Sequence, residues 1–171
     1  PPQIIFPILY LLLIGYYGCR YFIKMNIHEQ IKRRIPDAET IIISPTVRFF
    51  QWRFAVIAKE KFYVGRAFRK NIVIYDEFVR VPLPNNAIIN TAKKDKNIAA
   101  FLSFSPVYRW EIEKGPRYIE VRFIDLRYRS NNHYPFVAIV KLSHDLEILS
   151  SYTGWIYNKE KLEKKLEVLP G

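Results

Sequence analysis

From Ile4 to Gly15 the chain runs through twelve positions without a charged side chain, and after Arg20 it resumes as Tyr21-Phe22-Ile23. About 20 residues at about 1.5 Å each cross a hydrocarbon core of about 30 Å. The pattern therefore predicts a transmembrane helix. The core helix of a soluble protein is ordinarily apolar along one stripe, not all round. A secretory signal carries its basic residues before the apolar run and a small-residue cleavage site after it. Here the basic residues follow the run and no A-x-A site appears.

Beyond Arg20, Ile27 and Ile31 fall at i, i+4, so the helix is expected to continue from Lys24 to Arg34 and to stop at Pro36. Arg20, Lys24, Lys32, Arg33 and Arg34 all lie after the apolar run. The positive-inside bias then sets this end, and everything after it, in the cytoplasm of a bacterial inner membrane. Arg20, Lys24, Arg33 and Arg34 are the expected membrane-interface residues, with Arg20 extending its stem to set its guanidinium at the boundary. Pro1-Pro2, with no initiator methionine, reads as an inter-helix loop of a longer membrane protein; a processed or tagged chain is the alternative.

From residue 38 the period changes to two. Strands are expected over 40–44, 50–58, 62–68 and 72–81, closed by Pro82 and Pro84. Two short helices follow, one capped by Asn86 or Asn85, the next by Asp95 with Ile98 and Leu102 at i, i+4. Tyr108, Trp110 and Ile112 then alternate with Arg109, Glu111 and Glu113, and Ile119, Val121 and Phe123 with Glu120 and Arg122, which is a hairpin with one wet face. A last pair is expected over 136–142 and 147–153, then a helix capped by Asn158 with Leu162, Leu166 and Leu169. The expected fold is α+β. A transmembrane and juxtamembrane helix (1–36) precedes a cytosolic domain (37–171) of about seven or eight mostly antiparallel strands, with short helices packed on one face.

Composition supports a folded domain: half the residues are apolar and 16% are aromatic, which fills a core and favours pleated sheet. Cys19, the sole cysteine, has no internal disulfide partner, which fits a reducing compartment. The formal net charge is +11. Of this, residues 1–35 contribute +4, five basic residues against Glu29. Such a balance suggests an anionic neighbour, lipid headgroups or nucleic acid.

Chemistry is sparse. His28, His133 and His144 do not fall at metal-ligand spacing, and no glycine-rich phosphate loop or G-x-S-x-G is present. No catalytic or metal-ligating residue is assigned and no cofactor is called for by this chain. In Tyr118 to Arg129, period two carries the inward face from Phe123 to Asp125 and Arg127. Either a bulge flips the strand so that Ile124, Leu126 and Tyr128 face in, or Asp125 and Arg127 form a partly buried pair that orders the sheet end or meets a partner. Candidate binding residues are Trp52, Arg53, Arg109, Asp125 and Arg127; for Trp52-Arg53, core packing with a solvated Arg is the stronger reading. Arg-aromatic interleaving at Tyr108-Arg109-Trp110 and Arg127-Tyr128-Arg129 suits stacking on bases. It also arises in any half-wet sheet rich in Tyr and Arg, so nucleic acid is the weaker partner.

The order of motifs carries a resemblance. Ser44-Pro45-Thr46 leads into Phe49-Phe50-Gln51-Trp52-Arg53, then Phe62-Tyr63-Val64-Gly65. Ala100 to Pro106 (Ala-Phe-Leu-Ser-Phe-Ser-Pro), Phe123 to Tyr128 (Phe-Ile-Asp-Leu-Arg-Tyr) and Ser151 to Trp155 (Ser-Tyr-Thr-Gly-Trp) follow. Over most of its length the chain resembles the C-terminal part of the YdjM-like membrane-bound metal-dependent hydrolases, also described as LexA-binding inner-membrane-associated hydrolases, in their Bacillus-type branch. That family's metal site lies in an N-terminal, His- and Asp-rich multi-span region, and no ligand of it maps onto this chain. The resemblance thus implies a divalent metal and hydrolase activity for the parent only.

Together these readings lead to a cytosolic accessory or regulatory domain of a membrane-bound hydrolase, not catalytic alone. Its expected partners are the bilayer, the remaining spans of the parent and a protein regulator. The alternative is a membrane-tethered binding module for an anionic partner, a nucleic acid or a DNA-binding regulator.

Overall fold

The computed structural model describes residues 2–69 and 71–157. The chain forms two compact units, Pro1–Val79 and Arg80–Gly171. The eight strands among the described residues lie in two four-stranded sheets, one per unit, where the strand pattern alone had suggested one domain over 37–171. A strand run records its own burial but not which other strands share its sheet. The helix expected from Asn158, with Leu162, Leu166 and Leu169, lies outside the described residues.

The first unit opens with α1 (Pro2–Arg34), a single helix through Pro7. Ile35 N–H still donates to the Ile31 carbonyl at 2.8 Å, and Pro36 then forbids another turn. The two halves of α1 meet different surroundings. From Ile4 to Tyr17 its large apolar side chains are about half to two-thirds exposed. Ile27, Ile31 and Ile35, spaced by four, are buried against a sheet. That sheet is an antiparallel meander of β1 (Ala38–Pro45), β2 (Gln51–Ala58), β3 (Lys61–Phe68) and β4 (Asn71–Val79). Alternate residues Ile43, Trp52, Phe54, Val56, Ala67 and Ile72 complete the core with the helix.

The second unit begins with α2 (Ala87–Ala92) and α3 (Lys96–Phe104). The Asn86 side chain accepts from Ile89 N–H, and Asp95 accepts from the N–H groups of Asn97 and Ile98, so both N-termini are capped. β5 (Tyr108–Lys114), β6 (Ile119–Asp125), β7 (Phe136–Leu142) and β8 (Ile148–Trp155) follow as a second antiparallel meander. Ile89, Ala92, Ile98 and Phe101 pack on one sheet face over Val121, Phe123, Ala138 and Val140. Trp110 and Ile112 lie on that side, as their alternation predicts.

Candidate functional site

The most developed side-chain constellation lies at the end of β6. No bulge forms in the strand: β5 and β6 stay in uninterrupted register from Lys114↔Ile119 to Tyr108↔Asp125. Period two therefore carries the inward face from Val121 and Phe123 onto a carboxylate. Asp125 is completely buried, and its neighbour Ile124 is buried on the opposite face among Val137 and Ile139. Leu126 then leaves the strand and is itself buried, its N–H donating to the Val107 carbonyl at 2.9 Å. So Ile124 keeps its place on the opposite face within the strand, and only Leu126 is buried by leaving it.

The buried carboxylate is satisfied by its own turn. Arg127 N–H donates to Oδ1 at 2.8 Å. The Arg127 Nε donates to both Oδ1 and Oδ2 at 3.1 Å, and Nη2 donates to Oδ2 at 2.6 Å. Burial works against the Arg127 charge, but hydrogen bonding to Asp125 and its negative charge outweigh this and hold the guanidinium above its ordinary range. Burial likewise pushes the phenol of Tyr108, paired across from Asp125, above its ordinary value.

Aromatic rings surround this fork. The Arg127 guanidinium carbon lies 4.5 Å from the Phe104 ring centroid and 5.3 Å from that of Tyr128. Tyr128, Phe136 and Trp155 form a triangle with centroids 5.1–5.8 Å apart. Tyr157 stacks on Trp155 at an interplanar angle of 6°. Phe104, Trp155 and Tyr157 are exposed. The motifs at 100–106, 123–128 and 151–155, far apart in the chain, thus meet at one edge of the second unit. The arrangement offers a cluster of mostly edge-to-face rings beside a neutralised charge pair. Asp125, sealed and bonded to three N–H groups, has no free lone pair aimed at solvent with which to act as a base.

The other candidate residues fare differently. Trp52 is buried, and the Arg20 guanidinium covers its ring at 4.4 Å, so it forms part of the first unit's core. Arg53 is half-buried and sits opposite Arg66 in the β2–β3 register. Arg109 is exposed and pairs with Glu111 at 3.1 Å. Among the interface candidates, Arg20 Nη1 donates to the Phe49 carbonyl at 3.0 Å, and Arg34 Nη1 donates to the Ile72 carbonyl of β4 at 2.7 Å. Lys24 and Arg33 are exposed. His133 and His144 lie in exposed turns near the Asn131 and Pro116 carbonyls. Among the described residues, no three His, Cys, Asp or Glu side chains converge as a metal site requires. The sequence reading did not single out Phe104, Phe136, Trp155 and Tyr157. Two of them stood in the quoted motifs, Phe104 in 100–106 and Trp155 in 151–155, and Phe104 is also an aromatic that leaves an otherwise one-sided helix.

Comparison with known proteins follows the same division. Residues 36–78 match the YfhP middle domain and residues 87–166 match the YfhP C-terminal alpha/beta plait domain. The chain is YfhP-like. It is 55% identical over 168 residues to the uncharacterized protein YfhP of Bacillus subtilis (strain 168), covering 98% of this chain. It spans about half of that relative's length, 51%. No solved structure matches the chain. The matched descriptions name no activity. The YfhP middle domain corresponds to the four strands β1–β4, while the isoleucines Ile27 and Ile31 that close its core belong to α1, ahead of the matched residues.

Proposed function

We propose that this chain is the membrane-anchored accessory half of a longer protein, with α1 crossing the inner membrane and both sheet units on the cytoplasmic side. The observation that carries this reading is the division within α1. None of its most apolar window is buried, whereas Ile27 and Ile31 are sealed in a sheet core. A helix end built into the folded unit, and bonded to it through Arg20 and Phe49, is suited to retention as an anchor. Basic residues confined to the sheet-side end favour the inward orientation.

On this reading the longer protein is a YdjM-like metal-dependent hydrolase whose metal and chemistry reside outside this chain. The two units position a partner or regulate the membrane-embedded site, and the exposed rings Phe104, Trp155 and Tyr157 supply contact surface. Two measurements test the proposal on the full-length protein. A fluorescent protein fused at the C-terminus should glow in cells and stay with membranes through alkaline extraction; release into the soluble fraction refutes the anchor. Metal-dependent hydrolysis by the longer protein should weaken when residues 38–171 are removed. Unchanged hydrolysis refutes the accessory role, and salt-sensitive retention of nucleic acid would favour the anionic-partner module.

A further inference from the structure

The loop between β1 and β2 lies beside α1 where the apolar run ends. Phe49 sets its ring 5.5 Å from that of Tyr16, its carbonyl accepts from Arg20 Nη1 at 3.0 Å, and the Arg20 guanidinium carbon is 5.4 Å from the Phe49 centroid. No charged side chain precedes Arg20 along α1, so Arg20 marks the end of the stretch that hydrocarbon can cover. The depth of Tyr16 and Arg20 is therefore the depth of the loop.

The loop is held in shape. Thr46 Oγ1 donates to the Gln51 carbonyl at 2.6 Å, Gln51 N–H donates to the Arg48 carbonyl at 3.1 Å, and Arg69 N–H donates to the Phe50 carbonyl at 3.0 Å. The last bond joins the β3–β4 turn to the loop, with Arg69 in the left-handed region at φ 55°. On this joined tip, Val47 is fully exposed, and Phe50 and Phe68 are about half exposed. The Arg69 guanidinium carbon lies 5.7 Å from the Phe50 centroid and 5.5 Å from that of Phe68. Arg48 is exposed beside them. Apolar and aromatic side chains interleaved with arginines are what a headgroup layer accommodates, rings at the acyl boundary and guanidiniums among phosphates.

We propose that residues 46–50, with Phe68 and Arg69, form a second membrane contact that seats the first unit in the headgroup layer of an anionic bilayer. The inference rests on the reading that α1 spans that bilayer. The contact makes α1 and the sheet one body at the surface, with the tip as the foot that fixes its height.

The test uses the full chain with Cys19→Ser and one new cysteine carrying the environment-sensitive fluorophore NBD. The labelled chain is reconstituted in phosphatidylcholine–phosphatidylglycerol vesicles containing a nitroxide-labelled lipid quencher. Leu12→Cys reports the span and Val47→Cys the tip. Glu60→Cys reports the β2–β3 turn, about 23 Å away along β2. All three side chains are exposed, so labelling displaces no core atom. Blue-shifted, lipid-quenched emission at 12 and 47 with aqueous emission at 60 supports the proposal. Quenching at 12 with aqueous emission at 47 overturns the second contact and leaves the span intact. Equal quenching at 47 and 60 also overturns it, because the unit would then lie flat. Aqueous emission at 12 overturns the span and the inference with it.

Discussion

Arg127 grips Asp125 as a fork, with Nε shared between both carboxylate oxygens and Nη2 on Oδ2, around a carboxylate that no water reaches. Removing one member strands the other. Asp125→Ala should destabilise the chain by about 3–5 kcal/mol, because it leaves a mostly buried guanidinium uncompensated. Asp125→Ala combined with Arg127→Leu should cost clearly less than the sum of the two single changes. Urea unfolding in mild detergent, followed by tryptophan emission, measures the cycle. Additive costs would show that the fork is not a coupled pair.

Gly65 sits at the register shift between β3 and β4. A Cβ there would lie 2.2 Å from the Val73 carbonyl and 2.4 Å from the Phe54 ring. The ring can move but the carbonyl belongs to the sheet. Gly65→Ala should therefore destabilise by about 1–3 kcal/mol, and Phe54→Leu should not rescue it. Thermal unfolding of the single and double variants decides the matter.

Much of this architecture is legible in the sequence because it is local. The periods of 3.6 and 2 locate α1 and the strands, and Asn86 and Asp95 mark the helix starts. The partition into two sheets is not legible, because it depends on pairing between segments that carry similar patterns. The same holds at the end of β6. The sequence offers both a bulge and an Asp125–Arg127 pair there, and the alternation cannot choose between them; the unbroken register and the turn that closes Arg127 on Asp125 do. Trp52 and Arg53 show the same limit: the sequence favours core packing over a binding pair and Trp52 is buried, yet nothing local says that the cation over its ring is Arg20, 32 positions earlier.

The two caps allow a smaller, sharper measurement. Asp95 accepts from two N–H groups and Asn86 from one. Asn86→Ala and Asp95→Ala should each cost about 1 kcal/mol. Amide exchange within α2 and α3 should rise for the corresponding variant, more so for Asp95→Ala. Equal protection in the variants would mean that packing of Ile89, Ile98 and Phe101 alone holds the helices.

Tyr108 gives the fold an alkaline edge. Burial raises its folded pKa, so above the ordinary phenol value of about 10 the unfolded chain sheds its proton first. The unfolded state then binds fewer protons than the native state, and stability falls as pH rises from about 10 through the raised folded value. Below that window the contribution is fully present. Tyr108→Phe should flatten this part of the stability profile without altering it at neutral pH. A slope unchanged by the substitution would assign the alkaline loss to another group.

Along α1, one substitution should be severe and its counterpart mild. Ile31 is fully buried against the sheet, whereas Leu12 is about two-thirds exposed. Truncating Ile31 to Ala opens a cavity that α1 and the strands are too constrained to fill, at a cost of about 2–5 kcal/mol. Leu12→Ala removes a similar number of carbons from a side chain with no sheet beneath it, and the sheet should keep its stability. If α1 crosses the bilayer, that change should instead be felt as weaker membrane retention, because the carbons it deletes were solvated by lipid. Unfolding midpoints and membrane partition of the two variants, measured side by side, separate the two solvents of one helix. Equal loss of fold stability in both would place Leu12 in a packed interior and undo the anchor.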